Sequence, residues 1–195
     1  ESLITGRTVT SLVSPLFSDA ADTVIGGTSA NTLAGIAIIA YTENIAQGAW
    51  QYSTDAGATW IDISTVSSAT SAITITASDL LRYAPKPDFN GAVPVLTFVA
   101  IENSTTVTSG AIVDASVRGG STSFSSATLA ITQTVTAVVD IVADSLSVNE
   151  DSSVTANLIN GTNGASADNF ENSDRAITAV TQGARGSVTF NADGT

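Results

Sequence analysis

Carboxylates are the groups in this sequence best suited to metal chemistry, and several fall close together. Asp140, Asp144, Glu150 and Asp151 lie within one short stretch. Calcium takes about six to eight oxygen ligands, so a site needs several such groups converging from separate loops. Repulsion between neighbouring carboxylates also favours a cation among them. The stretch therefore predicts a calcium site, with a solvated acidic linker as the alternative.

A later loop carries three more acidic residues. Asp168, Glu171 and Asp174 are interspersed with Asn, Ser and Phe, a composition typical of a loop. If this loop folds back beside residues 140–151, its carboxylates add ligands to the same calcium ion.

A second candidate metal site lies near the start of the chain. Asp19 and Asp22 fall in the loop that follows Phe17. Two carboxylates are few for a stable calcium site. Further oxygen ligands could come from Glu1 and from Asp88 or Asn90. For Asp88 and Asn90 the alternative is a turn, because Asp and Asn cap turns.

Composition narrows the function classes. The chain contains no Cys, Met or His, so disulfides, thiolate chemistry, imidazole bases and the usual zinc, haem and copper ligands are excluded. A catalytic interpretation would rest on paired carboxylates, as in glycoside hydrolysis, and no acidic pair here belongs to a recognisable motif. We therefore expect a non-catalytic protein.

The charge balance bears on partners. Eighteen acidic residues stand against six basic ones, for a net charge of −12, which argues against nucleic acid or an anionic membrane as the partner. No apolar run approaches the ~20 residues needed to span a bilayer. Because the chain opens on Glu1 and not on a basic and then apolar segment, we expect an internal piece of a longer exported protein.

Two tryptophans flank the clearest predicted hairpin. Trp50 and Trp60 lie on either side of Thr54–Gly57, which has turn composition. Aromatic residues in strands usually pack across the sheet or into the core. The alternative is a stacking platform for carbohydrate, which would make Trp50 and Trp60 ligand-binding residues.

Val, Ile and Thr dominate the periodic segments, with Gly, Ser, Asn and Asp about every ten residues, as in an all-β sandwich or barrel. The pattern restarts near residue 140, so we predict one domain over 1–139 and the first part of a second over 140–195. The strands predicted for the first are Thr8–Leu12, Leu33–Ala40, Ala49–Ser53, Thr59–Ile63, Ala72–Thr76, Leu81–Ala84, Val95–Ile101, Ala111–Val117 and Ala127–Val138. Those for the second are Ser145–Val148, Val154–Leu158, Ala176–Thr181 and Ser187–Asn191.

Ordered motifs in both parts resemble a known family. The second part contains Asp144-Ser-Leu-Ser-Val-Asn-Glu150-Asp151 and, later, Thr181-Gln-Gly-Ala-Arg-Gly186-Ser-Val-Thr-Phe-Asn-Ala-Asp193-Gly-Thr. The first part contains Gly48-Ala-Trp-Gln-Tyr-Ser-Thr-Asp-Ala-Gly-Ala-Thr-Trp60, Leu81-Arg-Tyr-Ala-Pro and Asp88-Phe-Asn-Gly91. Together they resemble bacterial cadherin-like, immunoglobulin-like tandem repeats of giant exported adhesins of the RTX type.

The resemblance implies tandem immunoglobulin-like β-sandwiches, the second incomplete, with calcium at or near the domain junctions. It implies a structural extender or presentation module on the bacterial cell surface, serving adhesion or biofilm attachment. Its partners would be neighbouring repeats of the same polypeptide and a cell-surface glycan or protein. A carbohydrate- or peptide-binding module, and a filament or surface-layer subunit completed by strand exchange at an open edge, are the alternatives.

Overall fold

The computed structural model describes residues 5–19, 30–138, 141–170 and 175–195. The chain divides into two compact units, Glu1–Val135 and Thr136–Thr195, where the sequence predicted a boundary between residues 139 and 140. Antiparallel sheet dominates the first unit, in agreement with the predicted all-β class. No helix among the residues described is long and apolar enough to cross a membrane.

The strands of the first unit are short and pair antiparallel throughout. In chain order they are β1 (Arg7–Thr8), β2 (Leu33–Ala40), β3 (Gly48–Ser53), β4 (Ile61–Asp62), β5 (Ala72–Thr76), β6 (Leu80–Pro85), β7 (Gly91–Ala92), β8 (Leu96–Glu102), β9 (Ile112–Val113), β10 (Leu129–Ile131) and β11 (Thr134–Val135). A helix α1 (Val9–Val13) and two 3-10 turns, Ser14–Leu16 and Ala69–Ser71, complete the described elements.

These strands form two main sheets and one small one. Sheet A has the order β1-β6-β3-β4, sheet B has the order β10-β8-β2-β5-β9, and β7 pairs with β11. Side chains from both main sheets meet in one hydrophobic cluster, which includes Ile36 and Ile38 of β2, Trp50 of β3, Tyr83 of β6 and Phe98 of β8. The core therefore lies between sheets A and B.

Sheet B is covered on both faces. Ile36 and Ile38 of β2 belong to the core between the sheets, whereas Ala37 belongs to a second cluster on the opposite face with Val99 and Ala115. Successive side chains of a strand point to opposite faces, so burial of both faces calls for an almost uninterrupted apolar run. This explains the sequence Leu-Ala-Gly-Ile-Ala-Ile-Ile-Ala of β2.

The predicted strand Thr8–Leu12 is wrong, because the structure has helix α1 there. The Thr8 hydroxyl accepts a hydrogen bond from the Ser11 backbone N–H at 3.1 Å, which caps the first turn. Val9 and Val13, four residues apart, are both buried. That spacing places them on one face of a helix. The sequence predicts a strand here only because Val and Thr favour strands.

The other predicted strands of the first unit differ in their extent. β2 and β5 have the predicted bounds. Thr59–Ile63 and Ala111–Val117 shrink to two-residue strands at sheet edges, and Ala127–Val138 divides into β10 and β11. Edge strands lack a partner on one side, so their composition alone does not set their length.

In the second unit none of the four predicted strands forms among the described residues. Ile159 is buried there, and the backbone N–H of Leu158 donates to Gly194 O at 2.8 Å. The side-chain amide of Asn157 donates to Asp193 O at 3.0 Å. A small set of hydrogen bonds and one buried side chain therefore connect the loop after residue 156 to the last residues of the chain.

Candidate functional site

Asp144, predicted as a calcium ligand, bonds to the backbone of a later loop. Its Oδ1 accepts a hydrogen bond from the Ser166 backbone N–H at 2.6 Å. In the reverse direction, Asp168 Oδ1 accepts from the Val142 backbone N–H at 2.8 Å. The loop therefore does fold back beside the stretch that starts at residue 141, and each segment supplies one carboxylate to the other. Charge-assisted hydrogen bonds of this kind are among the stronger ones in proteins.

Glu150 and Asp151, the other candidate ligands that the structure describes in the second unit, form no metal-binding group with Asp144. Glu150 and Asp151 lie in an exposed turn that the Ser152 N–H closes by donating to Asn149 O at 3.2 Å. Asp140 and Asp174, with Glu171, lie outside the described residues. Within the described ranges, no three acidic side chains are grouped so that they could hold a metal ion. The described residues alone do not fit a calcium site.

Asp19, the first residue of the second candidate metal site, is paired with a carboxylate that the sequence did not single out. The Asn31 backbone N–H donates to Asp19 Oδ2 at 2.6 Å, and the Asn31 side-chain amide donates to Glu102 Oε2 at 3.0 Å. One asparagine thus brings two half-buried carboxylates together. Asp22 and Glu1 lie outside the described residues, and Asp88 and Asn90 are exposed.

Both carboxylates line a cleft of about 330 Å³ at one end of sheet B. Its walls come from the segment after α1, from β8 and from the loop that leads into β10. Acidic, hydroxyl and aromatic side chains all contribute, among them Phe17, Asp19, Glu102, Ser123 and Phe124. A concave site with a few convergent polar groups on an apolar wall is the usual form of a small-ligand pocket.

Hydrogen bonds hold the polar wall of the cleft in place. The Ser104 hydroxyl donates to Glu102 Oε1 at 2.6 Å and is 2.9 Å from the Ser123 hydroxyl. The Thr122 hydroxyl donates to Gly119 O at 2.9 Å. Gly119 and Gly120 have φ of 69° and 60°, a conformation open to glycine at little cost. The Glu102 carboxylate is held on one oxygen by Ser104 and on the other by Asn31.

Trp50, one of the two predicted ligand-binding residues, is a core residue. Only 2 % of its surface is exposed. Its indole N–H donates to Pro94 O at 2.8 Å, and its ring meets Tyr83 edge-on with 5.5 Å between the centroids. A sugar needs an exposed ring face for stacking, so the burial of Trp50 leaves it a packing role.

Trp60 is partly exposed, but the protein itself occupies one face of its ring. The Arg82 guanidinium lies 3.8 Å from the ring centroid, a cation–π contact. Arg82 is held there because its Nε donates to Gln51 Oε1 at 2.9 Å, and Gln51 in turn donates to Asp62 Oδ1 at 2.7 Å. This chain of contacts crosses β6, β3 and β4 on the outer face of sheet A.

The turn between the tryptophans is organised by one carboxylate. Asp55 accepts hydrogen bonds from the Thr59 hydroxyl at 2.6 Å, from the Thr59 backbone N–H at 2.8 Å and from the Ser53 hydroxyl at 2.8 Å. Because these bonds favour the charged form, with those from Thr59 contributing most, the pKa of Asp55 falls to about 2. The indole N–H of Trp60 donates to Gly57 O at 3.1 Å and closes the loop.

Two tyrosine hydroxyls are enclosed in the core. The hydroxyl of Tyr83 is buried and has no hydrogen-bond partner among the described residues, and burial raises its pKa to about 12. The hydroxyl of Tyr41 accepts from the Trp50 backbone N–H at 3.4 Å, and burial is also the main reason that its pKa is raised. An unpartnered buried hydroxyl is costly, so Tyr83 is a weak point of the core.

No protein family, curated protein or solved structure matches the chain. Glu102 and the loop 119–125 are the cleft residues that sequence reasoning missed.

Proposed function

We propose that the chain is a structural extender of a bacterial cell-surface adhesin: an exported, non-catalytic module that presents a binding region elsewhere in the polypeptide. In this proposal the first unit is a cadherin-like sandwich and the second is the beginning of another repeat. The observation that carries the proposal is the burial of sheet B on both faces. The ordered motifs described above give it the adhesin context.

A sheet buried on both faces suits a module that must resist pulling. Its central strands, β2 and β8, are each hydrogen-bonded on both sides, and their side chains are buried in both clusters. Opening such a sheet exposes apolar surface on both faces at once, and each fully buried Ile or Phe stabilises the fold by about 1.5–3 kcal/mol. Local opening of the centre of sheet B is therefore costly.

The loop that covers the outer face of sheet B is bonded to the sheet by side chains. The Thr74 hydroxyl donates to Thr108 O at 2.6 Å, and the Ser109 hydroxyl accepts from the Thr76 N–H at 2.8 Å. The same serine donates to Asp79 Oδ2 at 2.5 Å. These bonds attach the loop to two residues of β5 and to Asp79 in the turn after it. This attachment supports a stabilising role for the loop.

Single-molecule pulling tests this role. Released residues extend by about 3.3–3.6 Å each, so unfolding the stretch from β1 to β11 should lengthen the chain by about 450 Å. We expect one cooperative rupture of that length. Several small steps, or smooth extension at low force, would contradict a role in resisting mechanical force.

A matched pair of variants links the rupture to the buried sheet. Ile38 is fully buried, whereas 75 % of Ile45 is exposed. Ile38→Val removes one buried methyl group at a cost of about 0.5–1.5 kcal/mol, and it should lower the rupture force. Ile45→Val should leave the force unchanged. If both substitutions change the rupture force equally, the mechanical resistance does not depend on the core of sheet B.

The resemblance implies calcium at the domain junctions. Two of the candidate ligands, Asp140 and Asp174, lie outside the described residues. Asp140 and Asp174 would have to join Asp144 to supply enough oxygen ligands, with Glu150 and Asp151 as further candidates. Such an ion would supply charge neutralisation and order to the linker. A ligand that binds only the folded state raises the apparent stability. Thermal unfolding should therefore shift upward from chelator to millimolar calcium, and identical curves would remove calcium from the proposal.

A filament subunit completed by strand exchange is the second candidate function, because apolar side chains of the second unit are exposed. Leu146, Val148 and Val188 are 37 %, 53 % and 48 % exposed, although their segments have the alternating composition of strands. Pairing with an added strand would bury such residues. This arrangement would make the chain a self-associating subunit.

Light scattering across a range of protein concentrations tests the second candidate. Val148→Asp should abolish association, and Val95→Asp is the matched control, since Val95 is 46 % exposed and lies in the first unit. A chain that stays monomeric at every concentration, or association that survives Val148→Asp, would leave only the extender.

A further inference from the structure

We infer that the cleft beside sheet B binds an arginine side chain of a partner polypeptide. The inference depends on the geometry of the cleft and is independent of the extender role. The site is formed by Asp19, Glu102, Phe17 and Phe124. None of these residues except Asp19 was a candidate from the sequence, and Asp19 was a candidate for metal only.

The charge of the cleft selects a cation. Among the lining residues that the structure describes there are two carboxylates and no Lys or Arg. Their bonded neighbours are neutral, namely the amide groups of Asn31 and the hydroxyl of Ser104. Arg118 precedes the lining residue Gly119, but its Nη1 is buried and has no hydrogen-bond partner in the described part of the chain, so this nitrogen pairs with neither carboxylate. The chain as a whole carries a net charge of −12, which concentrates cationic ligands near it.

The composition of the wall favours an organic cation over a metal ion. Among the residues that the structure describes, no group of three acidic side chains could hold a metal, and calcium needs about six to eight oxygens. Phe17, Phe124 and Leu129 add apolar surface to the same cleft. A cation with a hydrocarbon stem uses both features, since the stem packs against apolar surface while the charged head reaches the carboxylates.

Among such cations, arginine fits best. Its guanidinium is planar, carries five N–H donors and pairs with two acceptors at once. It also stacks on aromatic rings, as Arg82 does on Trp60 in this chain. A lysine ammonium is a more strongly hydrated point charge that gains less from an aromatic wall. A volume of about 330 Å³ holds a side chain and excludes a folded domain.

The experiment is a titration of the full chain followed by backbone amide NMR, with N-acetyl-arginine methylamide as the probe. We expect saturable shifts at Glu102, Gly120, Ser123 and neighbouring amides. The citrulline analogue has the same shape without charge, and it should give no saturable shift. Equal shifts with citrulline would show that charge plays no part, and would overturn the inference. Equal or tighter binding of the lysine analogue would overturn the choice of arginine.

Substitutions separate the cleft from the general acidity of the surface. Glu102→Gln removes the charge and keeps one of the two side-chain oxygens as an acceptor, and it should weaken binding at least tenfold. Asp19→Asn provides a second neutralised variant if Glu102→Gln does not fold. Asp62→Asn removes the same charge from the other sheet and should change affinity less than twofold. A similar loss in Asp62→Asn and Glu102→Gln would show non-specific attraction and overturn the site.

Discussion

The unpartnered hydroxyl of Tyr83 makes a sharp test of the core. Tyr83 is fully buried, and its ring packs against Trp50 and Phe89 at centroid distances of 5.5 and 6.4 Å. Tyr83→Phe keeps these ring contacts and deletes the oxygen, which has no partner in the ranges that the structure describes. A buried polar group without a hydrogen bond costs about 1–3 kcal/mol. Even the lower end of that range predicts that the variant is more stable than the parent by about 1 kcal/mol.

Urea unfolding measures this difference. The midpoint should rise while the slope with denaturant stays the same, because the exposed area hardly changes. The unfolding temperature should rise by about 2–4 °C for a chain of this size. Tyr41→Phe is the control, because the Tyr41 hydroxyl accepts from the Trp50 N–H at 3.4 Å, and its loss should destabilise by about 0.5–1.5 kcal/mol.

The same substitution has a signature at alkaline pH. The pKa of Tyr83 is raised in the folded state to about 12, against about 10 for an exposed phenol. The phenol of the unfolded chain therefore ionises first, so the stability of the fold is unaffected by this group below about pH 10 and falls as the pH rises toward 12. Tyr83→Phe should show a smaller fall across this window, with the remainder due in part to Tyr41. Destabilisation of Tyr83→Phe at pH 7 would refute the reasoning, since it would mean that the hydroxyl has a partner such as a buried water.

Two further predictions concern a turn and a close backbone approach. The pKa of Asp55 is lowered to about 2 in the folded state, so its contribution is present above pH 4 and is lost as the pH falls toward 2; acid unfolding of Asp55→Ala should show a weaker pH dependence in that window. A Cβ on Gly35 would lie 2.3 Å from Ile75 O, so Gly35→Ala should destabilise by about 1–3 kcal/mol. Gly183→Ala, where a Cβ meets nothing within 4 Å, should lie within about 0.5 kcal/mol of the parent in the same urea experiment.

Much of the first unit could be predicted from composition and period, because its central strands are buried on both faces. A continuous apolar run such as Leu33–Ala40, and the alternation of Ile with Thr in Ala72–Thr76, both favour a strand. The lengths of edge strands were harder to predict, because those of β4 and β9 depend on neighbouring segments and not on their own residues. Helix α1 was missed because Val and Thr favour strands, while the cap at Thr8 and the burial of Val9 against the core decide in favour of a helix.

The candidate sites show what spacing along the chain cannot reveal. Asp19 and Glu102 belong to no common motif and lie far apart in sequence, yet Asn31 bonds to both. Asp144 and Asp168 were predicted to lie close together, and each accepts a backbone N–H of the other segment. A carboxylate bonds to metals and to amides with the same oxygens, so its residue type does not distinguish a ligand from a loop anchor. Fold-level packing decides which partner it meets.

The extender role is tested most directly by displaying the chain on a cell surface under shear flow. One strain carries the chain between its anchor and a domain that binds a known immobilised target, and a second strain carries the anchor and the chain alone. The extender role predicts that only the first strain is retained, and that two or three tandem copies of the chain increase its capture from flow. Retention of the second strain on the same surface would contradict it, because the chain would then be the adhesive element itself.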